Sequence, residues 1–141
     1  MFVSVTRLRI RSIRFLPAFL LNTQRAGGQI RAAAGFLGGE LVVDRKLTFW
    51  TMTGWVDERA MLGYRNSGAH KAVMPKLIQW CDEAAAVHWT QEGTALPSWK
   101  EAHAKLTAEG FVTKVRHPSA NHTTRAFAEP RTTIGQKLVV K

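Results

Sequence analysis

Residues 47–55 read LTFWTMTGW, which is the clearest β-strand pattern in the chain. Successive side chains of a strand point to opposite faces of its sheet, so this stretch divides into two sets. One face carries Leu47, Phe49, Thr51, Thr53 and Trp55, and the other carries Thr48, Trp50, Met52 and Gly54. The alternation predicts a strand with large apolar side chains available on either face.

The residues before this stretch predict its hairpin partner. Residues 34–43 have strand character that is interrupted by Gly35, Gly38 and Gly39, and a short turn is predicted over residues 44–46. Glycines inside a strand indicate a bulge or the close approach of another backbone. Two strands joined by so short a turn most simply form an antiparallel hairpin.

The N-terminal region predicts the first strand and the first helix of the domain. Residues 2–11 alternate, with Phe2, Ser4, Thr6, Leu8 and Ile10 on one face and Val3, Val5, Arg7, Arg9 and Arg11 on the other. The first 25 residues are rich in Arg and contain no acid, as a leader peptide would be. Their apolar run is short, contains Pro17 and has basic residues on both sides, so we interpret the region as part of the fold.

Capping residues indicate where helices begin. The predicted helices are 13–26, begun by Ser12 and ended by Gly27-Gly28; 58–62, begun by Asp57; 69–83, begun by Ser67-Gly68; and 99–108, begun by the capping box Ser98–Glu101. Further strands are predicted over 86–90 and 111–116. Because Cys81 falls on the apolar face of the third helix, we interpret it as a buried structural thiol.

The order of elements over residues 1–116 is βαββαβ with one additional helix. Its compact packing is the ferredoxin-like α+β fold, an antiparallel sheet with both helices on one face. The other face is then bare and apolar, and a second copy of the chain is the simplest cover, which predicts a homodimer. Residues 117–141 are interpreted as a basic arm or disordered tail, whose apolar end at 138–140 can pair with an edge strand or another subunit.

Length and charge narrow the class of protein. The chain has 141 residues, which suits one domain, and a net charge of +10. Residues 1–39 carry six Arg and no acid, residues 113–141 carry six Lys and Arg against one Glu, and the middle is nearly balanced. No nucleic-acid-binding motif accompanies the basic ends, so nucleic acid is not a favoured partner. A single cysteine and no apolar run of membrane-spanning length favour a cytoplasmic protein without a membrane span.

Four short segments together resemble the dimeric α/β-barrel superfamily, which includes the antibiotic-biosynthesis monooxygenases. They are GFLGGEL at 35–41, FWTMTGW at 49–55, DERAM at 57–61 and SGAHK at 67–71. The WCDE string at 80–83 is similar to that of a bacterial branch of monooxygenase-like domains of unassigned activity. The resemblance covers residues 2–92 and implies an oxidoreductase acting on a small hydrophobic ligand, which is an aromatic, polycyclic or isoprenoid molecule.

His70 is the principal candidate catalytic residue. The string Ala69-His70-Lys71 matches the position at which haem-degrading relatives place their iron-ligating histidine, so the resemblance also implies haem binding as an alternative. Those relatives carry an Asn on the first strand, where this chain has Ser4 and Thr6. Two other interpretations stay open: a polar group in a substrate pocket, and a residue that only braces the helix.

The remaining candidates would shape and charge an apolar pocket between sheet and helices. Trp50, Trp55 and Trp80 either pack the core or bind a flat substrate, and His88 is a second polar contact or base. Arg7, or its neighbour Arg9, is the candidate to hold an anion or enolate. Once deprotonated, an electron-rich substrate can reduce oxygen itself, so this hypothesis requires no cofactor and no metal. The remaining alternative is a non-catalytic ligand-binding or interaction module.

Overall fold

The computed structural model describes residues 1–140 and contains one six-stranded antiparallel sheet in the order β5-β4-β1-β3-β2-β6. The strands are β1 (Phe2–Ile10), β2 (Phe36–Asp44), β3 (Thr48–Trp55), β4 (Cys81–Thr90), β5 (Phe111–Val112) and β6 (Gly135–Leu138). The helices are α1 (Leu16–Arg31), α2 (Glu58–Arg65), α3 (Gly68–Trp80) and α4 (Trp99–Glu109). The βαββαβ core confirms the predicted ferredoxin-like α+β fold, and α4 is the predicted additional helix.

The β2–β3 hairpin confirms both interpretations of its glycines. The pairing of the two strands shifts between Phe36 and Gly38, which is a bulge. A Cβ atom on Gly39 would lie 2.6 Å from the carbonyl oxygen of Met52, so the two backbones approach too closely there for any other residue. The two side-chain sets of β3 lie on opposite faces of the sheet, as the alternation predicted.

Helix α1 is longer than the sequence predicted. Its expected end at Gly27-Gly28 is wrong, since the helix continues to Arg31. Two helical glycines cost about 1 kcal/mol each relative to alanine, and tertiary contacts outweigh that cost. Ile30 is buried, and the Gln29 side chain donates hydrogen bonds to the backbone carbonyl oxygens of Tyr64 and Ser67.

The boundary between α3 and β4 also differs from the prediction. The helix ends at Trp80 instead of residue 83, and β4 starts at Cys81 instead of Ala86. The reason is pairing with β1, which places Arg9 beside Glu83 and lets Arg9 form ion pairs with both Asp82 and Glu83. Cys81 therefore lies in a strand, where burial raises the pKa of its thiol to about 12 and keeps it unreactive.

The sheet face that the sequence analysis expected to be bare is covered by the chain itself. This expectation is wrong because α4 crosses that outer face and buries it. The outer face contributes Val3, Val5, Val42, Trp50, Met52, Ala85 and Val87 to one core cluster, with Trp99, Ala102, Leu106 and Phe127 above them. The homodimer was predicted from a bare face, so it stays a prediction that needs another surface.

The C-terminal segment packs along both edges of the central sheet. Backbone N–H groups of Thr113 and Ser119 donate to the carbonyl oxygens of Ala84 and Asp82 on β4. At the far edge, β6 pairs antiparallel with β2, which confirms that the segment around Leu138 pairs with an edge strand. The segment thus packs against the sheet, and the division into a domain over residues 1–116 and an arm or tail over 117–141 stays a prediction. Among residues 1–140, the structure has no helix with both the length and the apolar character needed to cross a bilayer.

We predict that Leu106→Ala lowers the free energy of unfolding by about 2–5 kcal/mol, because Leu106 is fully buried between α4 and the sheet. Urea unfolding followed by tryptophan fluorescence measures the change. Lys100→Ala, on an exposed position of the same helix, is the control and should shift stability by at most about 0.5 kcal/mol. Equal stability of the two variants would show that α4 does not hold this face closed.

Candidate functional site

A cavity of about 750 Å³ lies between the sheet and helices α1 and α3. The three central strands form its floor with mostly small side chains. These are Ser4, Thr6, Thr51, Thr53, Ala84 and Ala86. Register brings them together, because Ser4 pairs with Thr53 and Thr6 pairs with both Thr51 and Ala86. Helices laid over small side chains leave space beneath them, and this space is the candidate site.

The cavity lining is mostly apolar, and polar side chains lie on its floor, along α1 and around His70. Phe19, Phe49, Met74 and Leu77 are among the apolar lining residues. The polar groups include Tyr64, His70 and His88, two of which the sequence analysis singled out. A large apolar pocket with a few convergent polar groups is the usual form of a small-molecule site. Within residues 1–140, no three His, Cys, Asp or Glu side chains gather into a group that could hold a metal ion.

His70 is held at the start of α3 by two hydrogen bonds. Its backbone N–H donates to the Gln29 side chain, and its ring Nδ1 lies 3.1 Å from the carbonyl oxygen of Arg65. Because a carbonyl only accepts, this contact assigns the ring proton to Nδ1 and leaves the Nε2 lone pair free. Burial, with a smaller effect from the Arg65 charge, lowers the pKa of His70 below its ordinary 6.5. The ring is therefore a neutral base at neutral pH.

An aromatic stack fixes the wall beside His70. The Tyr64 ring lies 4.8 Å from the His70 ring and stacks on Trp55 at 5.4 Å. The Trp55 indole N–H donates to the Thr53 hydroxyl at 2.9 Å, so the indole is fixed as well. Burial raises the pKa of Tyr64, which keeps its hydroxyl protonated and donating weakly to the carbonyl of Ala26. Trp55 thus belongs to the cavity wall but is fully buried, and its predicted role in binding a substrate stays a prediction.

His88 lies on β4 at the same end of the cavity. Its ring packs between Phe2 and Phe111, each 5.6 Å away. Burial and the positive charge of Arg65 lower the pKa of His88, and the charge of Glu58 partly offsets this. His88 is therefore also neutral near pH 7, so the cavity holds two uncharged imidazoles.

Arg7, Trp50 and Trp80 do not line the cavity. Arg7 lies on the outer face, where it forms an ion pair with Glu83 and packs 4.0 Å from the Phe127 ring centre. Its predicted role in binding a substrate anion is wrong, because the sheet separates it from the cavity and Glu83 already neutralises it. Trp50 is fully buried beneath Trp99 of α4. Trp80, at the end of α3, packs beside a core cluster.

Sequence reasoning missed Tyr64, Arg65 and the polar floor of the cavity. Tyr64 and Arg65 are the last two residues of a short helix. Nothing in the spacing of the neighbouring residues indicates that the end of this helix contacts His70. The floor left a signal, because Ser4, Thr6 and Thr53 lie on the strand faces that also carry Phe2 and Trp55. Small polar residues among large apolar ones on one face indicate unfilled space beneath a helix.

We predict that Glu83→Ala destabilises the fold by about 3–5 kcal/mol without changing ligand affinity in the cavity. Glu83 is buried, and its removal leaves the Arg7 guanidinium without a partner. Urea unfolding gives the stability, and dye binding to the cavity gives the affinity. Asp82→Ala, which breaks a more exposed pair with Arg9, should cost about 1 kcal/mol or less. A lower affinity at unchanged stability would instead give Arg7 and Glu83 a role in binding.

Comparison with known proteins gives the same architecture. Residues 1–76 match the model of the family described as antibiotic biosynthesis monooxygenase. A solved structure described as an antibiotic biosynthesis monooxygenase is 16% identical, covering 66% of this chain and 100% of its own, at a TM-score of 0.58. A second, described as a putative antibiotic biosynthesis monooxygenase from Nitrosomonas europaea, is 13% identical with the same coverages and a TM-score of 0.54.

A third solved structure carries a more specific description. It is a mutant of SnoaB, described as a cofactor-independent oxygenase from Streptomyces nogalater. It is 15% identical, covers 69% of this chain and 97% of its own, and has a TM-score of 0.54. Among curated proteins, none matches the sequence. At these identities the structural matches establish the fold.

Proposed function

The chain belongs to the antibiotic biosynthesis monooxygenase family, and from this premise we propose that it is a monooxygenase-like enzyme. Its substrate is a small hydrophobic molecule of the aromatic, polycyclic or isoprenoid class, bound in the cavity under α1 and α3. One observation carries the proposal: His70 opens onto an apolar cavity with Nδ1–H held by the Arg65 carbonyl and Nε2 free. This is the arrangement of an oriented general base.

The proposed reaction begins with a proton transfer. His70 Nε2 takes a proton from an acidic C–H or O–H group of the substrate, leaving an electron-rich anion. That anion passes one electron to molecular oxygen, combines with the superoxide so formed, and takes the proton back from His70 to give a hydroperoxide. Loss of water then leaves a new carbonyl group, as in the conversion of anthrone and O₂ to anthraquinone and water. The cavity contributes orientation and a water-poor environment.

Two other residues shape the substrate site in this proposal. Trp55 is fully buried, with Phe36 and Tyr64 packed on its ring, so it supports the cavity wall from behind. His88, on β4, is neutral, and its ring N–H can donate a hydrogen bond to a substrate oxygen. The proposed reaction uses no bound cofactor, and the description of SnoaB as cofactor-independent supports this part. We also place the enzyme in the cytoplasm, which the single, unpaired Cys81 supports.

We predict that His70→Ala reduces oxygen-dependent turnover of anthrone-type or quinol substrates by about 10²–10⁴-fold, as expected for loss of a general base. An oxygen electrode and product absorbance measure the rate. His117→Ala removes an exposed histidine that does not line the cavity and is the matched control. Equal rates in the wild type and His70→Ala, or no turnover of any such substrate, would contradict the proposal.

The pH profile gives an independent test of the base. Because the pKa of His70 is lowered, its neutral form persists at pH 6.5 and is lost only as the pH falls through that lower value. We predict that kcat/KM falls on the acid side with a midpoint below pH 6.5, the ordinary pKa of a histidine. A decline centred at or above pH 6.5 would mean that another group is the base.

A haem-dependent enzyme is the second candidate function. The observation in its favour is the same Nδ1–H contact, because a metal-ligating histidine usually donates its other ring N–H to a carbonyl or carboxylate. His70 would hold the iron through Nε2, and the bound group would supply redox chemistry. Haem titration tests it: a shifted Soret band in the wild type that disappears in His70→Ala is the expected result. A spectrum that is the same in both proteins removes this candidate.

A further inference from the structure

The charges around the cavity are all of one sign. Of the residues that line it, Arg31 and Arg65 carry a full charge, and no Asp, Glu or Lys lines it. Neither arginine side chain forms an ion pair or a hydrogen bond with residues 1–140. The other half-buried arginines of the described chain do have partners: Arg9 pairs with carboxylates, whereas Arg11 and Arg125 donate to backbone carbonyl oxygens. The cavity lining therefore carries two positive charges and no negative one.

Arg65 lies closest to the proposed chemistry. It ends α2, and its carbonyl oxygen accepts the hydrogen bond from the His70 ring. The positive charge of Arg65 acts on both His70 and His88, so its guanidinium is within electrostatic reach of both imidazoles. Glu58 is exposed at the other end of α2 and does not pair with Arg65.

We infer that the substrate is an apolar molecule that carries a carboxylate, and that Arg65 binds this carboxylate beside His70. The inference rests on the proposed function for its site and names the substrate class within it. A guanidinium and a carboxylate form two parallel charge-assisted hydrogen bonds, which fix orientation as well as affinity. Arg31 adds to the positive potential of the cavity. Arg65 thus takes the anion-binding role that the sequence analysis assigned to Arg7.

The test compares two probes that differ only in charge: anthracene-2-carboxylate and its uncharged amide. Fluorescence anisotropy of the anthracene ring reports the binding of each probe to the whole protein. We expect the wild type to prefer the carboxylate by about tenfold or more. We also expect that preference to shrink as ionic strength rises from about 0.02 M to about 0.5 M.

Variants at Arg65 assign the preference to one side chain. Arg65→Gln should weaken carboxylate binding by about tenfold and leave amide binding within about twofold, and Arg65→Lys should keep part of the preference. Arg59→Gln, an exposed arginine on the same helix, is the control and should behave like the wild type.

Three outcomes overturn the inference. They are equal affinity of the wild type for both probes, equal weakening of both probes by Arg65→Gln, and no binding of either probe. The binding assay involves no turnover, so it separates the two proposals. A carboxylate preference without oxygen consumption contradicts the proposed function alone, whereas turnover without the preference contradicts this inference alone.

Discussion

A sheet with large apolar groups on both faces must be covered on both, and the rest of this structure depends on that requirement. The central strand β3 carries Phe49 and Trp55 on one face and Trp50 and Met52 on the other. Helices α1 and α3 cover the first face, as in any ferredoxin-like fold, and α4 covers the second. One subunit therefore covers both faces of its own sheet. The sequence had led us to expect that a second subunit would cover the outer face.

The helix on the outer face packs closely against the sheet, whereas the helices on the inner face leave a cavity. This difference in packing determines where a substrate can bind. On the outer face, Trp50, Met52 and Leu106 interlock without measurable exposure, and the charges of Arg7 and Glu83 satisfy each other. On the inner face, the helices lie above serine, threonine and alanine side chains and leave a cavity. A buried ion pair on the tight side holds β4 against β1, while the unpaired Arg65 on the open side is available to a ligand. The buried charges of the outer face are therefore paired within the protein, whereas the half-buried Arg65 of the inner face has no protein partner among residues 1–140.

The sequence predicts what depends on local pattern and fails where tertiary contacts decide. Alternation was sufficient for β1 and β3, and capping residues located the starts of α2 and α4, because these signals involve neighbours in the chain. The ends of α1 and α3 depend on Gln29 and on pairing with β1, which no local signal shows. The site divides in the same way. His70, Trp55 and His88 were predicted and line the cavity, whereas Arg7 was misplaced because alternation assigns a residue to a face without showing which face is open.

The part of the chain beyond the family match completes the cavity, and this has a consequence for specificity. The family model ends at residue 76, yet Phe111, Thr113 and Val115 line the cavity beside β4, and Gln136 and Leu138 line it beside β2. The proposed base and the anion-binding arginine both lie within the matched residues, as His70 and Arg65. The proposed base and arginine therefore come from the matched part of the chain, whereas the cavity walls come from both parts. Substitutions at Phe111, Val115 or Leu138 can change which apolar substrate fits, because these residues line the cavity and take no part in the hydrogen bond between His70 and Arg65.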